Sequence, residues 1–285
     1  MKWIDAISEA VTFIEENITE DINVEKIANH INISPFYFQK GFTMLCGFTI
    51  NEYIRNRRLA LAGDELISSD IKIIELALKY GYESPDSFTK SFTRFHKSTP
   101  SAVRKNGATI KSFVPLSIKF TLNGGFSMDY KIIEKKEFKV IGLEKTFKYD
   151  DAMSVVPQFW QEFYEKGYNN KITSMYGINT DETMQGNEFS YMIADEYNEQ
   201  IELDDNLTIK TIPSFTWAIF SCKGPMPFKL QETNRKIFSE WLPNAKDYEI
   251  AAGYCIEMYS DPANFKDGTN DEEYYSEIWI PIIKK

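Results

Sequence analysis

The sequence predicts two domains. The first is all-α and holds two helix-turn-helix units in tandem. The second is an α+β domain whose two pseudo-symmetric strand-helix-strand-strand halves form one antiparallel sheet. Two internal repeats predict this: a helical pattern at 84–95 occurs also at 34–42, and a strand-helix-strand-strand pattern that begins near residue 140 occurs again 78 residues later. A chain of 285 residues is also long enough for two domains that each bury a core.

The stretch 84–95 contains the clearest helix signal of the first domain. Ser84 can cap a helix, Pro85 fits the first helical position, and phenylalanines at 88, 92 and 95 repeat at helical spacing. The other face carries polar and basic side chains. An apolar helical stretch at 73–82 precedes it, with a turn at Gly81. This succession is typical of a helix-turn-helix unit.

The stretch 34–42 repeats Ser, Pro, Phe, Lys and Phe at the same offsets. A short helical pattern by itself is more often ordinary core packing. A repeat that includes the cap, the proline and the basic residue favours a second unit. Further helices are predicted at 3–17, from Asn23, and at 50–66, where a linking helix joins the two units.

Charge is distributed unevenly along the chain. The net charge is -10, but residues 1–110 hold 13 Lys and Arg against 14 Asp and Glu, so the acidity belongs to the second half. Within the first half, positive charge gathers at 55–58, at 90–97 and at 104–105. Such local clustering is what contact with DNA phosphates requires.

Nothing in the composition points to a metal, a cofactor or a membrane. The cysteines at 46, 222 and 255 form no Cys-x-x-Cys pair, and His30 and His96 stand apart from them, so buried inert thiols are favoured. No apolar run approaches the roughly 18 residues of a membrane span, and the N-terminal stretch is amphipathic. We therefore expect a cytoplasmic protein without a metal or cofactor.

Roughly residues 4–108 resemble the DNA-binding domain of AraC-type transcription regulators. The resemblance rests on the tandem units, on the arginines at 55–58 and on the signature from Ala77 through Gly81 and Phe88 to Thr99-Pro100. The resemblance implies base-edge readers on the exposed face of each recognition helix: Phe36, Tyr37, Gln39 and Lys40 in the first unit, and Asp86, Ser87, Thr89 and Lys90 in the second. Contacts to phosphates are expected from Arg55, Arg58 and Arg94. Phe36 and Tyr37 could instead be core residues. Asp86 would repel phosphates unless it accepts a hydrogen bond from cytosine.

The second half of the chain repeats itself. Three stretches recur at a spacing of 78: 140–142 matches 218–220, 159–163 matches 237–241, and 176–178 matches 254–256. The spacing then becomes 86, which aligns 191–194 with 277–280. Two halves of this kind can join edge to edge, with helices on one side of the sheet and a cleft along the pseudo-twofold axis.

These two halves, together with the stretches 213–225 and 277–281, resemble the GyrI-like small-molecule-binding domain over about residues 127–285. We therefore divide the chain into a DNA-binding domain at 1–108, a connector at 109–126 and a ligand-binding domain at 127–285. This is the domain order of Rob-like regulators.

The predicted ligand site centres on Glu277. On a strand, this residue shares a face with Tyr275 and Trp279, and Tyr191 occupies the matching position of the first half. The residues alone favour a glutamate that is satisfied by tyrosine or half exposed. The resemblance instead implies a glutamate at the centre of an aromatic pocket that accepts lipophilic cations. The other pocket residues that it implies, each of which could simply pack helix on sheet, are Trp279, Trp160, Phe163, Tyr176, Trp217 and Tyr254.

The sequence thus predicts a ligand-responsive transcription regulator. We expect an activator that binds double-stranded promoter DNA, senses a hydrophobic, cationic drug-like molecule and contacts RNA polymerase, as a monomer or weak dimer. An enzyme is not expected, because residues 111–285 contain no histidine and no nucleophile-base pair. Two alternatives remain for the second domain: a hydrolase in which a pocket glutamate activates water, and a protein-interaction module.

Overall fold

The computed structural model describes residues 3–106, 109–117, 128–182, 188–199, 205–245 and 247–285. They divide into two compact units. The first unit contains the described parts of Trp3–Ile33 and Cys46–Leu122, and the second contains Ser34–Leu45 with the described parts of Asn123–Lys285. The first predicted recognition helix therefore belongs to the second unit. No helix among the described residues is long and apolar enough to cross a membrane.

Helices make up most of the described chain as far as Asn106. They are α1 (Trp3–Glu16), α2 (Val24–His30), α3 (Pro35–Cys46), α4 (Ile50–Ser68), α5 (Ile73–Lys79), α6 (Pro85–His96) and α7 (Pro100–Asn106). Side chains fix several helix starts. Asn23 and Ser84 each accept a hydrogen bond from the backbone of the following turn, at 2.8 Å and 3.2 Å, and Thr49 forms a capping box with Glu52.

Helices α5 and α6 form a helix-turn-helix unit with its own core. Phe88 and Phe92 are fully buried and pack in one cluster with Leu76 of α5 and residues of α4 and α7. Gly81, between the two helices, has a φ of 78°, the left-handed region that favours glycine. The apolar stripe predicted for the helix at 84–95 is confirmed at these two phenylalanines.

The described part of the predicted connector, 109–117, is bound to the first unit. The N–H of Lys111 donates to Nδ1 of buried His96 at 3.0 Å, and the N–H of Leu116 donates to the hydroxyl of Tyr53 at 3.2 Å. Because Nδ1 accepts, His96 donates from Nε2 to the carbonyl of Leu59 at 2.9 Å and is neutral. The alternating run at 118–122 and the glycines at 124–125 lie outside the described residues, and the predicted domain limits remain a prediction.

The second unit contains one antiparallel sheet. Its strands are β1 (Tyr130–Lys135), β2 (Phe138–Lys148), β3 (Tyr176–Thr180), β4 (Glu188–Glu196), β5 (Thr208–Ile212), β6 (Phe215–Lys223), β7 (Tyr248–Ile250), β8 (Tyr254–Tyr259) and β9 (Tyr275–Lys284). Their order across the sheet is β1-β6-β9-β8-β3-β4-β2-β5, and β7 pairs with β9. Helix α8 (Ala152–Glu165) follows β2, and helix α9 (Phe228–Lys236) follows β6 and continues as a π-helical turn over Ile237–Trp241.

The two predicted halves are confirmed as β2-α8-β3-β4 and β6-α9-β8-β9. They meet at β3 and β8, which pair antiparallel with Ile178 opposite Ile256 at the centre. Strands β1 and β5 extend the sheet at its two ends. The sequence repeat predicted neither of these strands, nor strand β7.

The two faces of the sheet carry different groups. Helices α8 and α9 lie on the face that carries Tyr191 and Phe220, which we call the helix face: Trp160 of α8 donates to the Tyr191 hydroxyl at 3.0 Å, and the Trp241 ring lies 4.9 Å from Phe220. On the opposite face, buried side chains from seven strands pack in one cluster, which includes Tyr176, Ile178, Trp217, Tyr254, Ile256 and Trp279.

Candidate DNA interface and effector site

Helix α6 exposes most of the residues predicted to read DNA in the second helix-turn-helix unit. Asp86, Ser87, Lys90 and Arg94 are exposed, and Thr89 is half-buried. The Ser87 hydroxyl also donates to the carbonyl of the N-cap residue at 2.9 Å, so it supports the helix start as well. Lys90 and Arg94 are four residues apart and therefore lie on the same side of the helix.

A cavity of about 230 Å³ beside α6 is lined by four cationic side chains, Arg55, Arg94, Lys97 and Lys111. Like charges around one cavity repel one another, so an anion such as a DNA phosphate would stabilise them. Arg55 and Arg94 were predicted from the sequence. Lys111 was not, because it follows the helical domain in a stretch without a recognisable pattern.

The three arginines of the predicted cluster, at 55, 57 and 58, have different roles. Arg55 is exposed, whereas Arg57 is buried and binds Glu15, from Nε to Oε1 at 2.8 Å and from Nη2 to Oε2 at 2.7 Å. Arg58 donates from Nε and Nη2 to the carbonyls of Ile18 and Glu20, both at 2.7 Å. The predicted phosphate contact of Arg58 therefore needs correction, because its guanidinium already holds the backbone that follows α1.

Helix α3 does not expose its predicted base readers. Phe36, Tyr37 and Gln39 are buried and Lys40 is half-buried. The Tyr37 hydroxyl donates to the carbonyl of Tyr254 in β8 at 2.5 Å. The exposed face predicted for α3 is therefore wrong for this structure. Its two aromatic side chains are core residues of the second unit, which is the alternative that the sequence left open.

A carboxylate surrounded by aromatic side chains lies on the helix face at Glu257 of β8. Its Oε2 accepts a hydrogen bond from Tyr259 at 2.7 Å. The Trp160 ring lies perpendicular to Tyr259 at 5.4 Å and donates to Tyr191. Burial first, and then the charge of Glu257, hold the pKa of both tyrosines well above the usual value, so both stay neutral. We call Glu257, Tyr259, Tyr191 and Trp160 the Glu257 cluster.

A glycine makes room for this cluster at the centre of the sheet. Gly177 of β3 pairs with Glu257, and a Cβ at this position would lie 2.3 Å from the Tyr191 hydroxyl and 3.3 Å from that of Tyr259. The two hydroxyls can approach the backbone only because no side chain is there. On the same face, the buried Oδ1 of Asn179 has no hydrogen-bond partner among the described residues.

Lys40 of α3 brings a cation to the Glu257 cluster. Its Nζ donates to Sγ of Cys255 at 2.9 Å, and Cys255 and Glu257 point to the same face of β8. Burial alone would lower the pKa of Lys40, but Cys255 and Glu257 outweigh it and the pKa is raised. The cluster therefore accommodates a positive charge.

Two known protein families match the chain. The family described as integron-associated effector binding protein matches residues 131–282, more than half of the chain, and a helix-turn-helix domain family matches residues 27–106. The transcriptional activator AarP of Providencia stuartii is 36% identical over 98 residues, which are 34% of this chain and 73% of AarP. The chain is an AraC-type regulator with an effector-binding domain of this family.

This AraC-type regulator is similar to two further proteins. The TetD protein of transposon Tn10 from Escherichia coli is 38% identical over 100 residues, 35% of this chain and 72% of TetD. The superposition on the structure of SAV2435 bound to tetraphenylphosphonium covers 55% of this chain and 94% of the SAV2435 chain, with 20% sequence identity and a TM-score of 0.47.

The effector residues predicted for this regulator lie on both faces of the sheet. Trp160 and Phe163 belong to α8 on the helix face, whereas the opposite face carries Tyr176, Trp217, Tyr254 and Trp279. Glu277 also lies on the opposite face and accepts from Tyr275 at 2.7 Å, from Trp279 at 2.7 Å and from Lys131 at 2.9 Å. The sheet thus separates residues that were predicted to line one pocket, and the carboxylate of Glu277 already has three donors.

This separation follows from the register of the strands. Tyr191 pairs with Asn179, which pairs with Cys255, whereas Glu277 pairs with Met258. Paired residues point to the same face, and Cys255 and Met258 are three residues apart, so Tyr191 and Glu277 point to opposite faces. The alignment at a spacing of 86 was therefore out by one residue, which reverses every side chain.

The sequence nevertheless contained a signal for Glu257. The spacing of 78, which the structure confirms for β3 and β8, aligns Asn179 of the first half with Glu257 of the second. Both residues lie on the helix face. The second half therefore carries a carboxylate where the first half carries an amide, on the two strands at which the halves meet.

Proposed function

We propose that this AraC-type regulator activates transcription in response to a lipophilic cation that binds in the Glu257 cluster. The observation that carries the ligand class is the Lys40 ammonium, which donates to Cys255 beside the cluster and whose pKa is raised by the charges of Cys255 and Glu257. A lipophilic cation would gain charge pairing with Glu257 and cation-π contact with Trp160. Neither gain is open to a neutral molecule of the same shape.

We propose further that α6 and the basic cavity beside it contact promoter DNA. The four cations that line the cavity favour a phosphate there, and the exposed Lys90 lies on the same side of α6 as Arg94, which lines the cavity. The name of AarP as a transcriptional activator supports activation, which would require contact with RNA polymerase.

Isothermal titration of the full chain with tetraphenylphosphonium and tetraphenylborate tests the ligand class, because the two ions share a shape and differ in charge. We expect binding of the cation only. Glu257→Gln should weaken the cation by about 2 kcal/mol, roughly 30-fold, at the low end for a charge pair because Glu257 is only half-buried.

Glu277→Gln is the matched control, since it removes a carboxylate from the opposite face. It should leave cation affinity nearly unchanged. Loss of binding in Glu277→Gln with retention in Glu257→Gln would instead locate the site at Glu277, as the sequence predicted.

Salt dependence tests the DNA interface. With a duplex selected from random-sequence DNA, Arg94→Ala and Lys90→Ala should each reduce the slope of log affinity against log salt by about 0.9 for each phosphate that the variant no longer neutralises. Lys139→Ala removes an exposed lysine of the second unit and serves as the control. Identical slopes in the wild type and all three variants would exclude α6 from contact with phosphates.

A further inference from the structure

Helix α3 packs on the helix face beside the Glu257 cluster, at the position that we call the effector cleft. Tyr37 and Lys40 each form a hydrogen bond to β8, to adjacent residues Tyr254 and Cys255. The neighbouring rings come from both halves of the domain, with Phe36 lying 6.0 Å from Tyr149 and Tyr37 lying 6.4 Å from Phe238. The helix therefore bridges the pseudo-twofold axis at which the two halves meet.

The face of α3 that docks here is the face predicted to read DNA. Phe36 and Tyr37 are 0% and 1% exposed, so neither can contact a base edge while the helix is docked. The buried Nε2 of Gln39 has no hydrogen-bond partner among the described residues, although an amide of this kind pairs well with adenine. Docking thus leaves a DNA-reading group unsatisfied.

Helix α6, the equivalent helix of the second helix-turn-helix unit, shows that docking is particular to α3. At the same offsets, α6 has Asp86 and Ser87 where α3 has Phe36 and Tyr37, and both polar residues are exposed. Lys90, the counterpart of Lys40, is exposed as well. An aromatic pair followed by a lysine combines apolar rings with one positive charge, which are the features of a lipophilic cation.

We propose that α3 is an internal occupant of the effector cleft, with Tyr37 and Lys40 in the place of the effector, and that a lipophilic cation releases the helix to bind DNA. This proposal depends on the proposed function for its ligand. The nearest partner of the Lys40 ammonium is a thiol, so a cation that meets Glu257 directly gains more than Lys40 loses. By linkage, the cation must raise DNA affinity by the same factor by which DNA raises affinity for the cation.

The test compares DNA affinity of the full chain with and without tetraphenylphosphonium. We expect the cation to increase affinity about fivefold or more, within the usual range of coupling between sites. Cys255→Ala removes the partner of Lys40 without changing α3, so it should raise the affinity of the ligand-free protein toward that of the saturated wild type and reduce the response. Cys222→Ala changes a buried thiol elsewhere on the helix face and should retain the full response.

Hydrogen exchange provides a second measurement on the wild type, which does not depend on how a variant folds. Amides of residues 35–46 should exchange faster when tetraphenylphosphonium is bound. Calorimetric binding of the cation with unchanged DNA affinity and unchanged exchange would overturn the release of α3 and leave the proposed function standing. Absence of cation binding together with increased DNA affinity of Cys255→Ala would retain docking and overturn the ligand class.

Discussion

Replacing Arg57 with alanine tests whether this arginine is structural. Its side chain is 9% exposed and that of Glu15 is 21% exposed. Three hydrogen bonds of 2.8, 3.1 and 2.7 Å join them. Tyr53 donates to the same carboxylate at 2.7 Å, and Nη1 of Arg57 also donates to the carbonyl of Phe113. Arg57→Ala would leave a largely buried carboxylate with the Tyr53 hydroxyl as its one remaining donor among the described residues.

Breaking a buried ion pair typically costs about 3–5 kcal/mol. Because Glu15 is partly exposed and can recover some hydration, we expect about 2–3 kcal/mol, or a fall in the unfolding midpoint of the first unit on the order of 10 °C or more. Arg55→Ala, two residues away on the exposed side of the same helix, should leave stability within about 0.5 kcal/mol and reduce only the salt slope of DNA binding.

Circular dichroism on heating and fluorescence anisotropy with DNA measure both quantities on the same samples. If Arg57→Ala unfolds at the wild-type temperature and loses DNA affinity as Arg55→Ala does, the ion pair with Glu15 does not stabilise the protein. The three arginines would then form the single phosphate-binding cluster that the sequence predicted.

Three shorter predictions follow from buried groups. Burial lowers the pKa of His96 below its ordinary value, so as the pH falls below about 6.5 the unfolded chain takes up a proton before the folded protein does. The free energy of unfolding, measured by urea titration, should therefore fall as the pH falls, and it should fall less in His96→Gln. Gly177→Ala places a Cβ 2.3 Å from the Tyr191 hydroxyl, so it should cost about 1–3 kcal/mol of stability and weaken tetraphenylphosphonium binding in calorimetry. Glu277→Gln removes a charged acceptor shared by three donors, including Trp279, and should lower the free energy of unfolding by about 1–3 kcal/mol in urea without changing cation affinity.

The α6 region could be predicted because its two faces differ. Phe88 and Phe92 are buried while Lys90 and Arg94 are exposed, so helical spacing, the Ser84 cap and the turn before it all gave the same result.

Strands β4 and β9 gave no such contrast. Their central residues are buried on both faces, so no alternation of apolar and polar residues fixed the register, and the alignment of Tyr191 with Glu277 was free to slip by one.

Residue type alone could not separate arginines with different roles. Arg55 and Arg57 are two positions apart, and on a helix that spacing directs one side chain to solvent and the other into the first unit. The difference depends on Glu15, which is 42 positions away along the chain. A local pattern predicts the helix but not the distant partner that buries one of its sides.

Both repeats in this chain preserve a scaffold and differ between their copies in the chemistry of particular side chains. The helix-turn-helix repeat places Phe36 and Tyr37 where the other copy has polar residues, and the sheet repeat places Glu257 where the other half has Asn179. Helix α6 folds with exposed polar residues at these two positions, so the helix-turn-helix fold itself does not require the aromatic pair, which packs instead in the second unit. The two differences meet in the second unit, where the helix that carries the aromatic pair lies on the strand that carries the carboxylate. Exchanging Phe36 and Tyr37 for the Asp and Ser of α6 should therefore abolish the docking of α3 while leaving the fold of its helix unchanged.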